Sequence, residues 1–254
     1  MVVISLEQNE YSMKHTVTYY ECDPQGNVTV GMLINLAILV SEKQSDAVGL
    51  GPDIVGQFGG GWVITNYNIE ITKLPKVGET VVLSTRATSY NRYFAFREFW
   101  IRDQAGNEYA HIASIFVYMD LTTRKMVQIP NEILQPFHSE EVKRIPRVGK
   151  LEAITSEELL LRQDYHVRYF DIDANQHVNN AHYFDWMLDV LGEDFMKTHR
   201  LKKMLIKYEL EVRYGKDLVT SEVAIDDATL MTKHRIGTQG NLNAEANCWW
   251  EKLA

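Results

Sequence analysis

The chain carries Asp173-Ala-Asn175-Gln-His177-Val-Asn-Asn180, which sets a carboxylate, an amide and an imidazole at alternate positions just ahead of a helical pattern. Read as an extended segment, that alternation sends all three side chains to one side. An ionised carboxylate can orient its neighbours, an amide can hold a carbonyl or a water, and an imidazole can carry a proton near pH 7. Together they fit acyl transfer to water. A helix cap and a tight turn call for the same residue types, so the residues alone leave that account open. Glu211 is a second acid, on a segment where Tyr208, Leu210 and Val212 alternate with Glu209, Glu211 and Arg213; a solvated polar face is the competing account there. His166, His182, His199, Asp171 and Asp185 add titratable groups nearby.

The elements that must position these groups emerge from self-comparison. Val17-Thr-Tyr-Tyr-Glu-Cys-Asp-Pro-Gln-Gly-Asn-Val28 aligns, at an offset of 150, with Val167-Arg-Tyr-Phe-Asp-Ile-Asp-Ala-Asn-Gln-His-Val178. Val17/Val167, Tyr19/Tyr169, Asp23/Asp173 and Val28/Val178 are identical, while Tyr20/Phe170 and Glu21/Asp171 are conservative pairs. The first copy has Asn27 where the second has His177, which implies one site per chain. Each segment leads into an amphipathic helix, carried by Met32, Leu33, Leu36, Ala37 and Val40 in the first copy. Tyr183, Trp186, Met187, Val190 and Leu191 carry it in the second, behind an Asn179-Asn180 cap. Strand alternation follows at 62–71, 80–88, 94–102 and 112–119, then at 203–214, 218–225, 229–236 and 242–250, with Tyr67-x-x-Glu70 and Tyr208-x-x-Glu211 in the first strand of each set. Strand, one long helix and about four antiparallel strands, twice over, predict an α+β tandem double hotdog fold, each half a curved antiparallel sheet wrapped around one long helix. Residues 129–164, with Pro130, Pro136 and Pro146, break both periodicities; hotdog domains are expected at 1–140 and 164–254, joined by a linker at 141–163.

Composition narrows the function classes. The 254 residues are 45% apolar and 24% charged, a globular profile. With 26 Lys and Arg against 34 Asp and Glu, the formal charge of −8 disfavours nucleic acid or anionic lipid as a partner. The longest apolar stretches, such as 31–40, fall well short of the roughly 20 residues that cross a bilayer, so no membrane span is expected. The N-terminal residues carry no secretory or import pattern, which suggests a cytoplasmic, bacterial protein. Cys22 and Cys248 lie far apart and outside any Cys/His cluster, so they read as buried thiols and no metal site is expected. No P-loop, G-x-G-x-x-G or G-x-S-x-G is present, and Gly59-Gly60-Gly61 lacks a following Lys-Ser/Thr; no cofactor is expected.

Arg168-Tyr-Phe-Asp-Ile-Asp-Ala-Asn-Gln-His-Val-Asn-Asn180 resembles the signature of the acyl-acyl carrier protein thioesterases of plant plastids and bacteria. Trp62-Val-Ile-Thr, Ile69-Glu-Ile-Thr-Lys-Leu-Pro75, Trp100-Ile-Arg-Asp103 and Thr123-Arg-Lys-Met-Val-Gln-Ile-Pro130 follow the same family pattern. The resemblance implies that Asp173, Asn175 and His177 are catalytic and that Glu211, in its Tyr-x-x-Glu setting, is the family's later glutamate. Plant members carry a cysteine directly after that glutamate, whereas Val212 stands here, so a Cys-His mechanism is not available and a water-based one is left.

The resulting expectation is hydrolysis of fatty acyl-acyl carrier protein thioesters, with Glu211 and His177 sharing water activation and Asp173 and Asn175 positioning. The N–H groups of Val178 and Asn179 would face the oxyanion. The acyl chain is expected inside the first, catalytically degenerate hotdog, near Met32, Leu33 and Trp62, each of which serves equally well as plain core. Arg124-Lys125, Lys143-Arg144, Arg147 and Arg200 with Lys202-Lys203 are candidate contacts for an acidic carrier protein. Assembly as a homodimer is left open. An acyl-coenzyme A thioesterase would keep the same residues and differ in the handle; a non-catalytic acyl-binding module would leave the Asp-x-Asn-x-His of one copy unexplained.

Overall fold

A computed structural model describes residues 3–5, 9–144, 146, 149–155, 158 and 160–253. The chain forms two compact units, Met1–Val148 and Gly149–Ala254.

The first unit runs β1 (Val3–Ser5), β2 (Glu10–Thr16), α1 (Val30–Ala47), α2 (Pro52–Gly56), β3 (Gly60–Ile71), β4 (Thr80–Tyr90), β5 (Phe94–Arg102), β6 (Glu108–Asp120), α3 (Asn131–Leu134) and β7 (Glu140–Glu141). Its sheet is antiparallel in the order β1-β2-β4-β5-β6-β3, with β7 parallel to the end of β4. Of the stripe the spacing predicts, Leu33, Leu36, Ala37 and Val40 are buried and Met32 is only half-buried, and the Thr29 hydroxyl accepts the Met32 N–H at 3.2 Å to cap α1. One face of the sheet offers Leu83, Phe99, Ile101, Ile112 and Ile69 to the core. The other carries Glu98 between Arg86 (3.9 Å) and His111 (3.0 Å), the alternation that a half-solvated sheet requires. Bulges fall between Ala87 and Ser89 of β4 and between Ile64 and Asn66 of β3. Pro130 opens α3 instead of ending ordered structure, and Ile129, Ile133, Leu134 and Phe137 are buried with Leu50, Val55 and Tyr118. The apolar part of the stretch that breaks both periodicities is therefore core.

The second unit runs β8 (Leu160–His166), α4 (Ala181–Asp189), α5 (Glu193–Thr198), β9 (His199–Tyr208), β10 (Leu218–Asp226), β11 (Met231–Thr238) and β12 (Asn241–Lys252), with the antiparallel order β9-β12-β11-β10-β8. Each unit is thus an antiparallel sheet with a helix, the hotdog arrangement. The second helix is shorter than expected, 9 residues against 18 in α1. The stripe residues Val190 and Leu191 form a turn instead, closed by the Leu191 and Gly192 N–H groups on the Leu188 and Asp189 carbonyls (3.1 and 3.0 Å), and Gly192, at φ +81°, leads into α5. β9 also stops early, at Tyr208, because the N–H groups of Glu209 and Leu210 both go to the Asn243 carbonyl (2.8 and 3.2 Å). Among the described residues, no helix is long and apolar enough to cross a membrane. Cys248 is buried, which pushes its thiol pKa up, but Cys22 is only half-buried, contrary to expectation.

Candidate active site

Residues 172–178 close a tight loop, pinned where Ile172 bridges Val178. The Asp173 N–H donates to the His177 carbonyl (3.0 Å) and the Gln176 N–H to the Asp173 carbonyl (3.0 Å), while Asp173 Oδ1 accepts the Asn175 N–H (2.8 Å). The segment is a reverse turn and not an extended run, so strand alternation does not aim its side chains. The same turn recurs at Asp23–Asn27, where the matching bonds measure 2.8, 2.9 and 2.9 Å, and again at Asp103–Asn107 between β5 and β6. The leading aspartate is therefore demanded by the turn itself, through a carboxylate that caps the backbone two residues on. Glycine fills the left-handed position in the other two copies (Gly26, φ +78°; Gly106, φ +92°), whereas Gln176 holds φ +66°, a strain of about 1 kcal/mol.

What distinguishes the second copy is its histidine. The His177 imidazole lies between two carboxylates: Nε2 is 3.7 Å from Glu211 Oε1 and Nδ1 is 3.9 Å from Asp173 Oδ1, with the Val178 carbonyl 3.4 Å from Nδ1. All three side chains are about a quarter exposed. These separations are longer than direct hydrogen bonds but let one water touch the imidazole and the Glu211 carboxylate together. Asn175 is exposed, and its Nδ2 reaches Asp173 Oδ2 at 3.5 Å. Arg213 Nη2 lies 3.5 Å from Glu211 Oε2.

Glu211 sits beyond the end of β9, so the strand face read from the sequence does not orient it. Instead, the Val212 N–H donates to the Tyr183 hydroxyl (3.0 Å) and the Val212 carbonyl accepts the Val178 N–H (2.8 Å). Asn243 Nδ2 reaches the Leu210 and Glu211 carbonyls at 3.2 and 3.4 Å, and Thr238 donates to Asn243 Oδ1 at 2.8 Å. Tyr183, Asn243 and Arg213 were missed as site residues from sequence. A tyrosine in a buried helical stripe and an asparagine in a buried strand both require partners, and that was the available signal. The expected oxyanion donors are corrected: the Val178 N–H is taken by Val212 and the Asn179 N–H by the Asp171 carbonyl (2.9 Å). Asn180 stands at the N-cap of α4, and the side chain that serves the helix start is that of Asn179, whose oxygen accepts the Ala181 N–H at 2.9 Å.

In the first copy, the Val28 N–H donates to the Pro75 carbonyl (2.9 Å), as that of Val178 does to Val212. Leu74 thus holds the place of Glu211. Glu70 lies within β3 opposite His111, and the Tyr-x-x-Glu match with Glu211 is out of structural register.

The neighbouring titratable groups have other partners. Asp171 is buried, which alone would raise its carboxyl pKa; the Arg168 guanidinium (2.7 and 3.0 Å), the Arg168 N–H (2.8 Å) and His182 (3.8 Å) outweigh that and hold it below the usual range. Glu21, its counterpart, is held low against burial by the Thr18 N–H and His15. His182 also faces Asp185 at 3.5 Å, His199 stacks on Phe195 and His166 ends β8, exposed. No cluster of three His, Cys, Asp or Glu suited to a metal ion occurs among the described residues. Of the candidate basic contacts, Arg200 and Lys202 face Glu251 and Lys203 lies over Trp249, while Lys143 and Arg144 are exposed; Arg147 lies outside the described residues.

The sequence matches the Acyl-ACP thioesterase N-terminal domain over residues 8–137 and the Acyl-ACP thioesterase C-terminal domain over residues 154–252. It is 27% identical over 255 residues to the chloroplastic oleoyl-acyl carrier protein thioesterase of Coriandrum sativum, covering 92% of this chain and 68% of that protein. To a chloroplastic palmitoyl-acyl carrier protein thioesterase of Arabidopsis thaliana it is 28% identical over 166 residues, 62% of this chain and 39% of that one. A crystal structure of a Lactobacillus plantarum protein described as an oleoyl thioesterase superposes with a TM-score of 0.94 at 43% identity, covering 99% of this chain and 100% of that chain. The 12:0-ACP thioesterase from Umbellularia californica shares the fold, with a TM-score of 0.82 at 21% identity over 98% of this chain and 100% of that one. The chain belongs to the acyl-ACP thioesterase family.

Proposed function

We propose that the chain hydrolyses fatty acyl-acyl carrier protein thioesters to free fatty acid and carrier protein, with Asp173, Asn175, His177 and Glu211 as its catalytic residues. Family membership makes it a thioester hydrolase; the observation that supports the residue roles is the His177 imidazole set between Glu211 and Asp173. A thioester carbonyl is a good electrophile because sulfur donates little resonance into it. Glu211 and His177 contact the water and take its proton as its oxygen adds to the carbonyl carbon. Collapse of the tetrahedral intermediate breaks the C–S bond, and the proton passes from the pair to the departing thiolate. With the Val178 and Asn179 N–H groups already committed, the exposed Asn175 amide is the donor left to meet the oxyanion, held by Asp173. Val212 after Glu211 leaves no thiol at that position to act as nucleophile.

In this reading the first hotdog domain holds the acyl chain and has lost the chemistry, and the protein acts in the cytoplasm without metal or cofactor. A free-thiol assay on acyl carrier protein thioesters, run beside matched coenzyme A thioesters, tests it. Turnover should favour the carrier protein handle. Preference for coenzyme A would reassign the substrate, and tight acyl binding without thiol release would sink the hydrolase reading.

A further inference from the structure

Arg97 is a cation inside the core of the first unit. It lies on the inner face of β5, nine-tenths buried, and its Nη1 donates to Gln44 Oε1 of α1 (2.5 Å) and Thr85 Oγ1 of β4 (3.1 Å). The guanidinium lies 5.0 Å over the Phe137 ring. Among the described residues no carboxylate pairs with it, and burial alone pushes its pKa down to about 10, leaving it charged at neutral pH. An apolar residue of similar size would serve stability as well or better, so packing does not account for a charge here.

Its position does. On one side of the Arg97 layer the inner face is sealed: Leu83, Phe99, Ile101 and Ile112 are at most 1% exposed. On the other side, past the bulge in β3, Trp62, Ile64, Ala95 and Phe116 remain only half-buried, although all four are apolar and continue the inward face, and Ala87, directly opposite Arg97 on β4, is half-buried as well. Several of them border the buried cluster of Ile129, Ile133 and Phe137. Apolar side chains that face inward and still meet solvent outline an open apolar space, and Arg97 stands where that space meets the sealed core.

We infer that Arg97, held by Gln44 and Thr85, is the polar floor of the acyl-chain pocket and sets the upper limit on chain length. The inference rests on the thioesterase reading above. A terminal methyl cannot accept a hydrogen bond, so pressing it onto the floor strips a buried guanidinium of Gln44 and Thr85 with nothing in return. Short of the floor each added methylene favours binding by about fourfold; at the floor that gain stops.

The test is a free-thiol assay of the full chain on carrier protein thioesters bearing a ladder of saturated chains. Arg97→Met should raise kcat/KM for chains one step beyond the wild-type optimum, relative to shorter ones, by roughly 15-fold, the contribution of two buried methylenes. A folded Arg97→Met protein whose profile is unmoved, or whose activity falls equally at every length, overturns the inference. Should that variant fail to fold, Ala95→Leu decides. Filling the space above the floor must move the optimum to shorter chains, and an unchanged profile overturns the pocket. If the wild-type protein releases no thiol at any length, the hydrolase reading and this inference fall together, an outcome distinct from an active enzyme with an unmoved profile.

Discussion

Tyr183→Phe removes a single oxygen, and the structure says what that oxygen holds. The Tyr183 hydroxyl accepts the Val212 N–H at 3.0 Å in a buried setting, with Tyr183 and Val212 each 3% exposed. A phenylalanine ring fits the same space, so the perturbation is one buried N–H left without an acceptor, at a cost of about 1–3 kcal/mol. For a chain of this size that lowers Tm by roughly 2–10 °C. The catalytic consequence follows from sequence adjacency. Val212 is pinned at its N–H by Tyr183 and at its carbonyl by Val178, and Glu211 precedes it. Asn243 still holds the Leu210 and Glu211 carbonyls, so the carboxylate is loosened and not released. A full ångström of misplacement would cost about 100-fold; a partial one should lower kcat by about tenfold with little change in KM. Steady-state thiol release and a melting curve on the same preparation check both numbers. A lowered Tm with wild-type kcat would show that the hydroxyl serves stability alone, and a raised KM at constant kcat would place it on substrate binding. Either result refutes the claim that this bond aims Glu211.

Other outcomes follow from the same geometry. Glu211→Gln and His177→Ala should each lower kcat by about 10²–10⁴ with folding intact; a wild-type rate in the glutamine variant would remove Glu211 from the mechanism. Asn27→His restores the missing imidazole to the first copy but should add no activity to a His177→Ala background, because Leu74 stands where an acid is needed; any rescue would show that the acid is dispensable. His234 is 1% exposed with Nε2 2.7 Å from the Thr232 hydroxyl, and burial pushes its pKa down to about 3 against a weaker upward pull from the Met187 carbonyl. The unfolded chain therefore binds a proton that the folded one refuses. Stability is complete above the ordinary histidine range and falls on acidification towards about pH 3, by at most about 1.4 kcal/mol per pH unit. Denaturant melts between about pH 4 and 6 should be less pH-dependent in His234→Leu, and an equal slope would contradict the neutral, buried imidazole.

The architecture was readable because hydrophobic periodicity carries it. The stripe Leu33, Leu36, Ala37, Val40 and the alternation along β3 to β6 both follow from which side chains avoid water, and the structure keeps them nearly residue for residue. The departures share a different cause, the destination of individual backbone groups. β9 ends where Asn243 takes two N–H groups, α4 gives way to a turn closed on the Leu188 and Asp189 carbonyls, and the Asp173–His177 segment folds back on its own carboxylate. None of these can be read from polarity. Asp173, His177 and Glu211 could be named from their chemistry, but what brings Glu211 to 3.7 Å from the imidazole is a tyrosine hydroxyl from a helix and an asparagine from β12, which pattern reading assigns to the core.

The turn itself sharpens what the repeat means. Asp23, Asp103 and Asp173 all lead the same hydrogen-bonded turn, one of them in a hairpin with no claim to chemistry, so an aspartate at that place signals backbone geometry first. The informative differences between the copies are then two positions, Asn27 against His177 and Leu74 against Glu211. Neither change disturbs the bonds that close the loop, which is why the first copy can keep the shape of a site without the groups to run it. Replacing Asp173 removes the turn's cap and the carboxylate beside Nδ1 of His177 in one step, whereas replacing His177 or Glu211 leaves those backbone bonds in place. The roles of the four residues are therefore separated most cleanly by His177 and Glu211 variants, and a loss of rate on replacing Asp173 is interpretable only beside a measure of folding.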